Sequence, residues 1–198
     1  SKKFLHKKKV TGISIDTRNL KKGDLFIALV GENFDGHNYA DLALKNGASG
    51  VIVSNKIMAK KLSGLYVSNT RDALKNLAIF SRNRFQGCVV AITGSNGKTS
   101  TKNMMASIFE NFGKTHSTFQ NNNNILGLSL TLSRLRKDDK FCVLELGMSQ
   151  KKELKILSDL ALPHIAMITN ISSSHIENFL SEKEIAYVND AVKNGWNE

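Results

Sequence analysis

The segment Thr93-Gly94-Ser95-Asn96-Gly97-Lys98-Thr99 constrains this chain more than any other stretch. It directly follows an apolar run, CVVAI, and directly precedes a stretch with helical spacing, so a strand enters the loop and a helix leaves it. Phosphate loops sit at such junctions. Glycines let the backbone turn tightly and approach phosphate oxygens, while the helix N-terminus supplies N–H donors and positive potential. Gly94, Ser95, Asn96, Gly97, Lys98, Thr99 and Ser100 are therefore the candidate nucleotide-binding residues. Lys98 would bridge phosphates, and the Thr99 hydroxyl would reach a Mg²⁺ ion. The usual G-x-x-x-x-G-K-[ST] pattern wants glycine where Ile92 stands, so the loop is a T-G-x-x-G-K-[ST] variant. Alone it could be a Gly-rich turn before a lysine; its flanking strand and helix favour phosphate.

Strand-like and helix-like stretches alternate on both sides of Gly87. Before it come VTGISID, a Lys-Lys-Gly-Asp turn, DLFIALV, helix-like NYADLALKNGA and strand-like GVIVS. TRDALKNLAIFSRNRF follows, with Leu74, Leu77, Ala78 and Ser81 on one helical face. After Gly87 come CVVAITG and a helix whose Met105, Ile108, Phe109 and Phe112 are spaced as one apolar stripe. KTHST, ILGLSLTLSRL, FCVLELG, KKELKILSDL, HIAMITNI and a helical stretch from about Ser181 complete the order. Such alternation specifies an α/β fold with parallel sheets and crossover helices. The expected division is a small amino-terminal α/β domain, residues 1–86, followed by a P-loop-type parallel-sheet domain, residues 87–198.

Glu145 ends FCVLELG, and ligands of doubly wound sheets bind at the carboxyl ends of strands. A carboxylate there can hold Mg²⁺, which prefers oxygen ligands; the bland alternative is a solvated strand-end glutamate. His175 follows HIAMITNI through Ser172-Ser173-Ser174 and would emerge on the same edge. In the first domain, Asp16-Thr17-Arg18 and Asp35-Gly36-His37 flank DLFIALV and could together hold a polar or anionic ligand, although Asp-Gly commonly just makes a turn.

The chain of 198 residues carries 28 Lys+Arg against 17 Asp+Glu, a formal charge of +11. The lysines are scattered between elements, and aromatics at 7% do not interleave with them, so nucleic-acid binding is not expected. The basic balance suits an anionic small substrate. No apolar run reaches the roughly 18 residues of a spanning helix, so no membrane span is expected, and SKKFLHKKKV lacks the apolar core of a signal peptide. A cytoplasmic monomer is the expectation. Cys88 and Cys142 each open an apolar run without ligand-like spacing, which suits reduced thiols.

The ordered series SIDTRNLKKGDLFIALVGENFDGHNYADLALKNGA, AITGSNGKTSTKNMM, TFQNNNNILGLSLTLSRL, VLELGMS and ITNISSSHIENF resembles the Mur ligases. SNGKTSTK and the Asn-rich segment before LGLSLTLSRL favour the branch that adds D-alanyl-D-alanine to UDP-N-acetylmuramoyl-tripeptide in peptidoglycan synthesis. The diaminopimelate- or lysine-adding branch, which shares the DTR and DGH loops, is the nearest rival. The resemblance implies an ATP-dependent amide ligation through an acyl phosphate. It makes residues 1–86 a UDP-sugar substrate domain and residues 87–198 an ATP-binding domain. Lys98, Glu145 and His175 become the catalytic candidates, with Thr99 and Glu145 on one Mg²⁺ and His175 on a second. Asp16, Thr17, Arg18, Asp35, Gly36 and His37 go to the UDP-sugar, and Asn121, Asn123 and Asn124 to the muramyl peptide. Asn189 stands where the family carries a lysine that supports the second metal, and the chain stops before the family's third domain. This implies a truncated polypeptide that is inactive by itself. The alternative is a non-catalytic module binding UDP-muramyl peptide or ATP.

Overall fold

The computed structural model describes residues 9–120, 122–147 and 153–170. It divides into two compact units, one ending at Asn76 and the other starting at Leu77.

The first unit holds four parallel strands in simple chain order: β1 (Gly12–Ser14), β2 (Asp24–Ile27), β3 (Gly50–Val53) and β4 (Leu65–Tyr66). A 3-10 turn (Gly36–Tyr39) leads into α1 (Ala40–Lys45) after β2, and α2 (Lys56–Lys61) follows β3. Asn55 starts α2 by accepting the Met58 N–H on its side chain, as an N-cap should. The core joins Phe26, Val51 and Val53 with Ala28, Ala40, Ala43, Ala48 and Ala59. Alanines bring little apolar area per residue, so this layer is thin. The α2 and β4 elements were not anticipated, because SNKIMAKKLSGLYV carries no long periodic signal.

The long helix α3 (Thr70–Asn83) runs through the division between the units. Beyond it, Ala78 and Phe85 lie in the core of the second unit. Arg82 is buried there and donates to Ala161 O (2.7 Å) and Leu162 O (2.5 Å), satisfying carbonyls at a helix end. Arg84 likewise donates to Leu135 O at 2.7 Å. These contacts carry the end of α3 into the second unit, upstream of the expected boundary at 86.

In the second unit, β5 (Cys88–Thr93), β6 (Thr115–Ser117), β7 (Phe141–Glu145) and β8 (Ile165–Ile168) are all parallel, in the spatial order β6-β7-β5-β8. Helix α4 (Lys98–Glu110) covers one face: its Met105, Ala106 and Phe109 pack on Val90, Ile92 and Val143. Helices α5 (Ile125–Ser133) and α6 (Glu153–Ala161) cover the other. Their leucines 128, 132, 154, 157 and 160 meet Val89, Ala91, Cys142 and Leu144. Strand alternation thus feeds two apolar layers, the doubly wound α/β arrangement expected from the sequence.

One detail corrects the sequence reading. Of the stripe assigned to α4, Ile108 is 56% and Phe112 73% exposed, whereas Lys102 and Ala106 are buried. The inward stripe is Lys102, Met105, Ala106 and Phe109, so a polar residue holds a place that hydrophobicity had given elsewhere. Cys142 is buried and Cys88 half-buried, both as free thiols. Burial pushes both thiols upward, as expected of unreactive cysteines. Among the described residues no helix is long and apolar enough to cross a membrane. The helical stretch expected from about Ser181 lies outside the described residues.

Candidate functional site

The order β6-β7-β5-β8 makes the second sheet reverse direction at β5. The chain leaving β5 returns on the β6–β7 side, and the chain leaving β7 crosses to β8 on the other. Connections that part in this way open a crevice outside the carboxyl ends of the strands. The loop from Thr93 to Thr99 occupies that end of β5.

Two glycines give the loop its curve. Gly94 has φ +134° and Gly97 φ +78°, and the latter caps the start of α4. At Gly94 a Cβ would lie 2.2 Å from Thr169 Oγ1 and 2.9 Å from Asn170 O, so no side chain fits. The segment after β8 grips the loop from outside. Thr169 Oγ1 donates to Asn96 O (2.6 Å), Asn96 N–H donates to Asn170 Oδ1 (3.0 Å), and Ser95 N–H donates to Asn170 O (2.9 Å). Lys98 Nζ donates to Gly94 O (2.6 Å) and Ser95 O (3.1 Å), folding back over the loop it terminates. Phosphate oxygens are stronger acceptors for an ammonium than these carbonyls, so the lysine is poised to transfer to an anion.

Glu145 faces the loop from the end of β7, in register with Ile92 of β5. It is 2% exposed, and each of its groups has a partner. Oε2 accepts from Thr99 Oγ1 at 2.8 Å, Oε1 accepts from Asn123 Nδ2 at 2.9 Å, and the backbone N–H donates to Thr118 Oγ1 at 3.0 Å. Asn123 is held in turn, since its carbonyl accepts from Gly147 N–H at 2.8 Å. Thr93 Oγ1 donates to Leu146 O at 3.0 Å, tying the ends of β5 and β7 together.

The donor set fits a Mg²⁺ ion. Thr99 and Glu145 offer only oxygen, already 2.8 Å apart, beside a loop shaped for phosphate. Among the described residues no group of three His, Cys, Asp or Glu converges, so the protein would supply few ligands and leave the rest to phosphate and water. That is how Mg²⁺ is usually held in nucleotide sites.

Of the residues singled out in the sequence, Thr99 contacts Glu145, and Asn123, which the resemblance gave to the muramyl peptide, lies against Glu145 as well. Asn124 instead caps α5, accepting Gly127 N–H on its side chain at 2.8 Å. Asn121, His175 and Asn189 lie outside the described residues. Thr118, Thr169, Asn170 and Lys102 were missed. Thr169 and Asn170 follow an apolar strand in the manner that drew attention to Glu145, and Lys102 is in helical phase with Met105 and Phe109.

In the first unit, the candidates hold one another. Arg18 donates to both carboxylate oxygens of Asp16, Nη2 to Oδ2 at 2.6 Å, and this hydrogen bonding holds the Asp16 carboxyl below its usual range. Asp35 Oδ1 accepts the His37 N–H (2.9 Å) and faces His37 Nδ1 (2.6 Å); the backbone bond leads in depressing its pKa. His37 is buried, and its Nε2 accepts the Ser54 N–H at 2.9 Å. Its proton therefore sits on Nδ1, and both ring nitrogens are used internally. Gly36 is also buried, whereas Thr17 and Arg18 remain accessible, Arg18 nearly wholly so. Phe34 and Tyr39 stack nearby with centroids 5.4 Å apart, both rings substantially exposed.

Two family descriptions match the chain: the Mur ligase middle domain over residues 92–192, and the Mur ligase family catalytic domain over residues 9–82. The UDP-N-acetylmuramoyl-tripeptide--D-alanyl-D-alanine ligase of Buchnera aphidicola is 41% identical over 89% of this chain and 39% of its own length. The Escherichia coli enzyme of the same name is 38% identical over 92% of this chain and 40% of itself. Among solved structures, MurF from Acinetobacter baumannii superposes with a TM-score of 0.77 at 36% identity, covering 94% of this chain and 41% of that one. MurF from Thermotoga maritima, in complex with ADP, gives 0.74 at 30% identity, covering 96% and 44%. This chain thus spans about 40% of the length of the curated relatives it matches.

Proposed function

This chain belongs to the Mur ligase family, and from that premise we propose that it is part of a MurF-type ligase. It would bind ATP and UDP-N-acetylmuramoyl-tripeptide for joining D-alanyl-D-alanine to the tripeptide. The observation that carries the reading is the Thr99–Glu145 pair, closed at 2.8 Å across the mouth of a glycine loop where the sheet reverses direction. A relative that shares this fold was solved with ADP.

In this reading, the Gly94–Ser100 loop and the N-terminus of α4 cradle the ATP phosphates, and Lys98 leaves the loop carbonyls to bridge them. Thr99 and Glu145 would hold Mg²⁺, which supplies charge neutralisation for the transferring phosphoryl group. Little covalent chemistry falls to the protein in such transfers; positioning and electrostatics carry the rate. Asn123 and Thr118 keep Glu145 fixed, so the carboxylate need not reorganise when nucleotide arrives. In the first unit, Arg18 and Thr17 are the accessible candidates for the UDP-sugar. Asp16, Asp35, Gly36 and His37 shape the loops that present them. His175 would serve a second Mg²⁺, and Asn121 the muramyl peptide.

Calorimetric titration of the chain with ATP, with and without Mg²⁺, and separately with UDP-N-acetylmuramoyl-tripeptide tests the reading. Both ligands should bind, and Mg²⁺ should tighten ATP. Failure of ATP to bind in either condition would overturn the phosphate-loop assignment. A ligation assay with both ligands and D-alanyl-D-alanine then separates a binding module from a ligase, because product made by this chain alone establishes catalysis.

A further inference from the structure

Lys102 lies one turn beyond Lys98 on α4, yet only 4% of it reaches solvent. It takes the inward position of a stripe otherwise formed by Met105, Ala106 and Phe109. Burying an ammonium group is costly unless it is well hydrogen-bonded, and a Leu or Met would pack there without that penalty. Its partner is Thr118 O, which accepts from Lys102 Nζ at 2.8 Å.

Thr118 is itself buried and stands at a branching point. Its N–H donates to Val143 O at 3.1 Å, and its hydroxyl accepts the Glu145 N–H at 3.0 Å, so it fixes the end of β7. It also opens the segment that leads to Asn123, whose amide donates to Glu145 Oε1. Thr99, three residues before Lys102 on the same helix, holds Glu145 Oε2. One helix therefore holds Glu145 twice, its carboxylate directly through Thr99 and its backbone indirectly through Lys102 and Thr118.

We propose that Lys102 is a positioning residue: by anchoring Thr118 it keeps Glu145 aimed at the cation of the phosphate loop, without touching nucleotide itself. This rests on the nucleotide reading above, and the test keeps the two apart.

ATP affinity is measured in EDTA and again with Mg²⁺ for the wild type, Lys102→Met and Lys102→Arg, alongside thermal unfolding. Hydrogen exchange of the backbone from Phe119 to Asn124 is followed without nucleotide. Lys102→Met should keep its EDTA affinity within about twofold, because Lys98 and the loop are untouched. The gain in affinity from Mg²⁺ should fall about fivefold, the scale of one buried hydrogen bond. Exchange from Phe119 to Asn124 should quicken, and Lys102→Arg, which retains a charged donor, should recover most of the Mg²⁺ gain. A folded Lys102→Met with the full Mg²⁺ gain overturns the proposal, and so does equal weakening with and without Mg²⁺, which would mark a merely structural lysine. If Lys102→Met does not fold, Thr118→Val interrupts the same path on its other side and is judged by the same criterion. Absence of ATP binding by the wild type would instead sink the nucleotide reading, and the role of Lys102 with it.

Discussion

The two units use the same parts to different ends. Each is built on four parallel strands, but the first sheet keeps chain order while the second runs β6-β7-β5-β8. A sheet in chain order sends every crossover the same way and leaves no parting of connections at its strand ends. Reversal at β5 creates one, and the glycine loop, Thr99 and Glu145 meet there. Polar groups in the first unit are spent largely on one another, as Asp16 with Arg18 and Asp35 with His37 show. In the second unit they converge on a single buried carboxylate. Parallel α/β architecture alone therefore does not open a crevice at the strand ends; strand order does.

The cores differ in the same sense. Five alanines share one layer of the first core with Phe26, Val51 and Val53, whereas leucines fill the main layer of the second. Leu144→Ala should cost about 2–5 kcal/mol, the usual range for a buried leucine cut back to alanine. Val53→Ala in the first unit removes less and should cost about 2 kcal/mol, from roughly 0.8 kcal/mol per buried carbon. Urea unfolding with hydrogen exchange resolved by unit provides the measurement. Equal losses would erase the contrast between the alanine-rich layer and the leucine-rich one.

Binding offers a sharper separation. Lys98→Ala should weaken ATP binding by about 10–100-fold, the factor that follows from a charge-assisted hydrogen bond of about 1.5–3 kcal/mol. Affinity for UDP-N-acetylmuramoyl-tripeptide should stay within twofold, because its candidate contacts, Thr17 and Arg18 in the first unit and Asn121 in the second, do not include Lys98. Parallel calorimetric titrations of the folded variant decide it. Loss of both affinities would mean the sites are not separable in this way.

Legibility in the sequence followed the same divide. In the second unit, long apolar strands, a glycine loop and strand-end residues made β5, the loop and Glu145 readable, because periodicity and placement there agree. In the first, β4 and α2 are too short to produce a period, and their positions come from packing against β3. The stripe on α4 misled for a physical reason: hydrophobicity pointed to Ile108 and Phe112, but the polar demand at Thr118 turned Lys102 inward. His37 shows the same limit, since no pattern reveals that both ring nitrogens are engaged by Asp35 and Ser54.

Two asparagine caps allow a smaller comparison. Asn55 caps α2 in the first unit, and Asn124 caps α5 in the second, each accepting a backbone N–H. Alanine at either position should cost about 0.5–2 kcal/mol. The larger loss is expected at Asn124, because α5 is buried along most of its length whereas α2 buries only Ala59. Thermal unfolding of both variants checks the order, and a greater loss at Asn55 would show that helix burial does not set the value of the cap.

The smallest effect concerns acid. In the second unit, burial depresses His116, whose Nε2 donates to Thr131 O at 2.9 Å, and it depresses His164 as well. A histidine with a lowered folded pKa favours the native state while it is neutral. Its contribution is complete above the unfolded value of about 6.5 and declines as pH falls through that value toward the depressed one, because the unfolded chain then binds more protons. Asp16 and Asp35 in the first unit are depressed too, so their contributions hold above about pH 4 and fade only below it. Acid should therefore weaken the second unit first, between about pH 7 and 5 on these reference values, and the first unit later. Hydrogen exchange at pH 7.5, 5.5 and 3.5, corrected for intrinsic rates, reports each unit separately. His116→Gln, which keeps an amide donor for Thr131 O without titrating, should flatten part of the slope between the first two points. An unchanged slope in that variant would remove His116 from the explanation, and simultaneous weakening of both units above pH 5 would break the distinction between them.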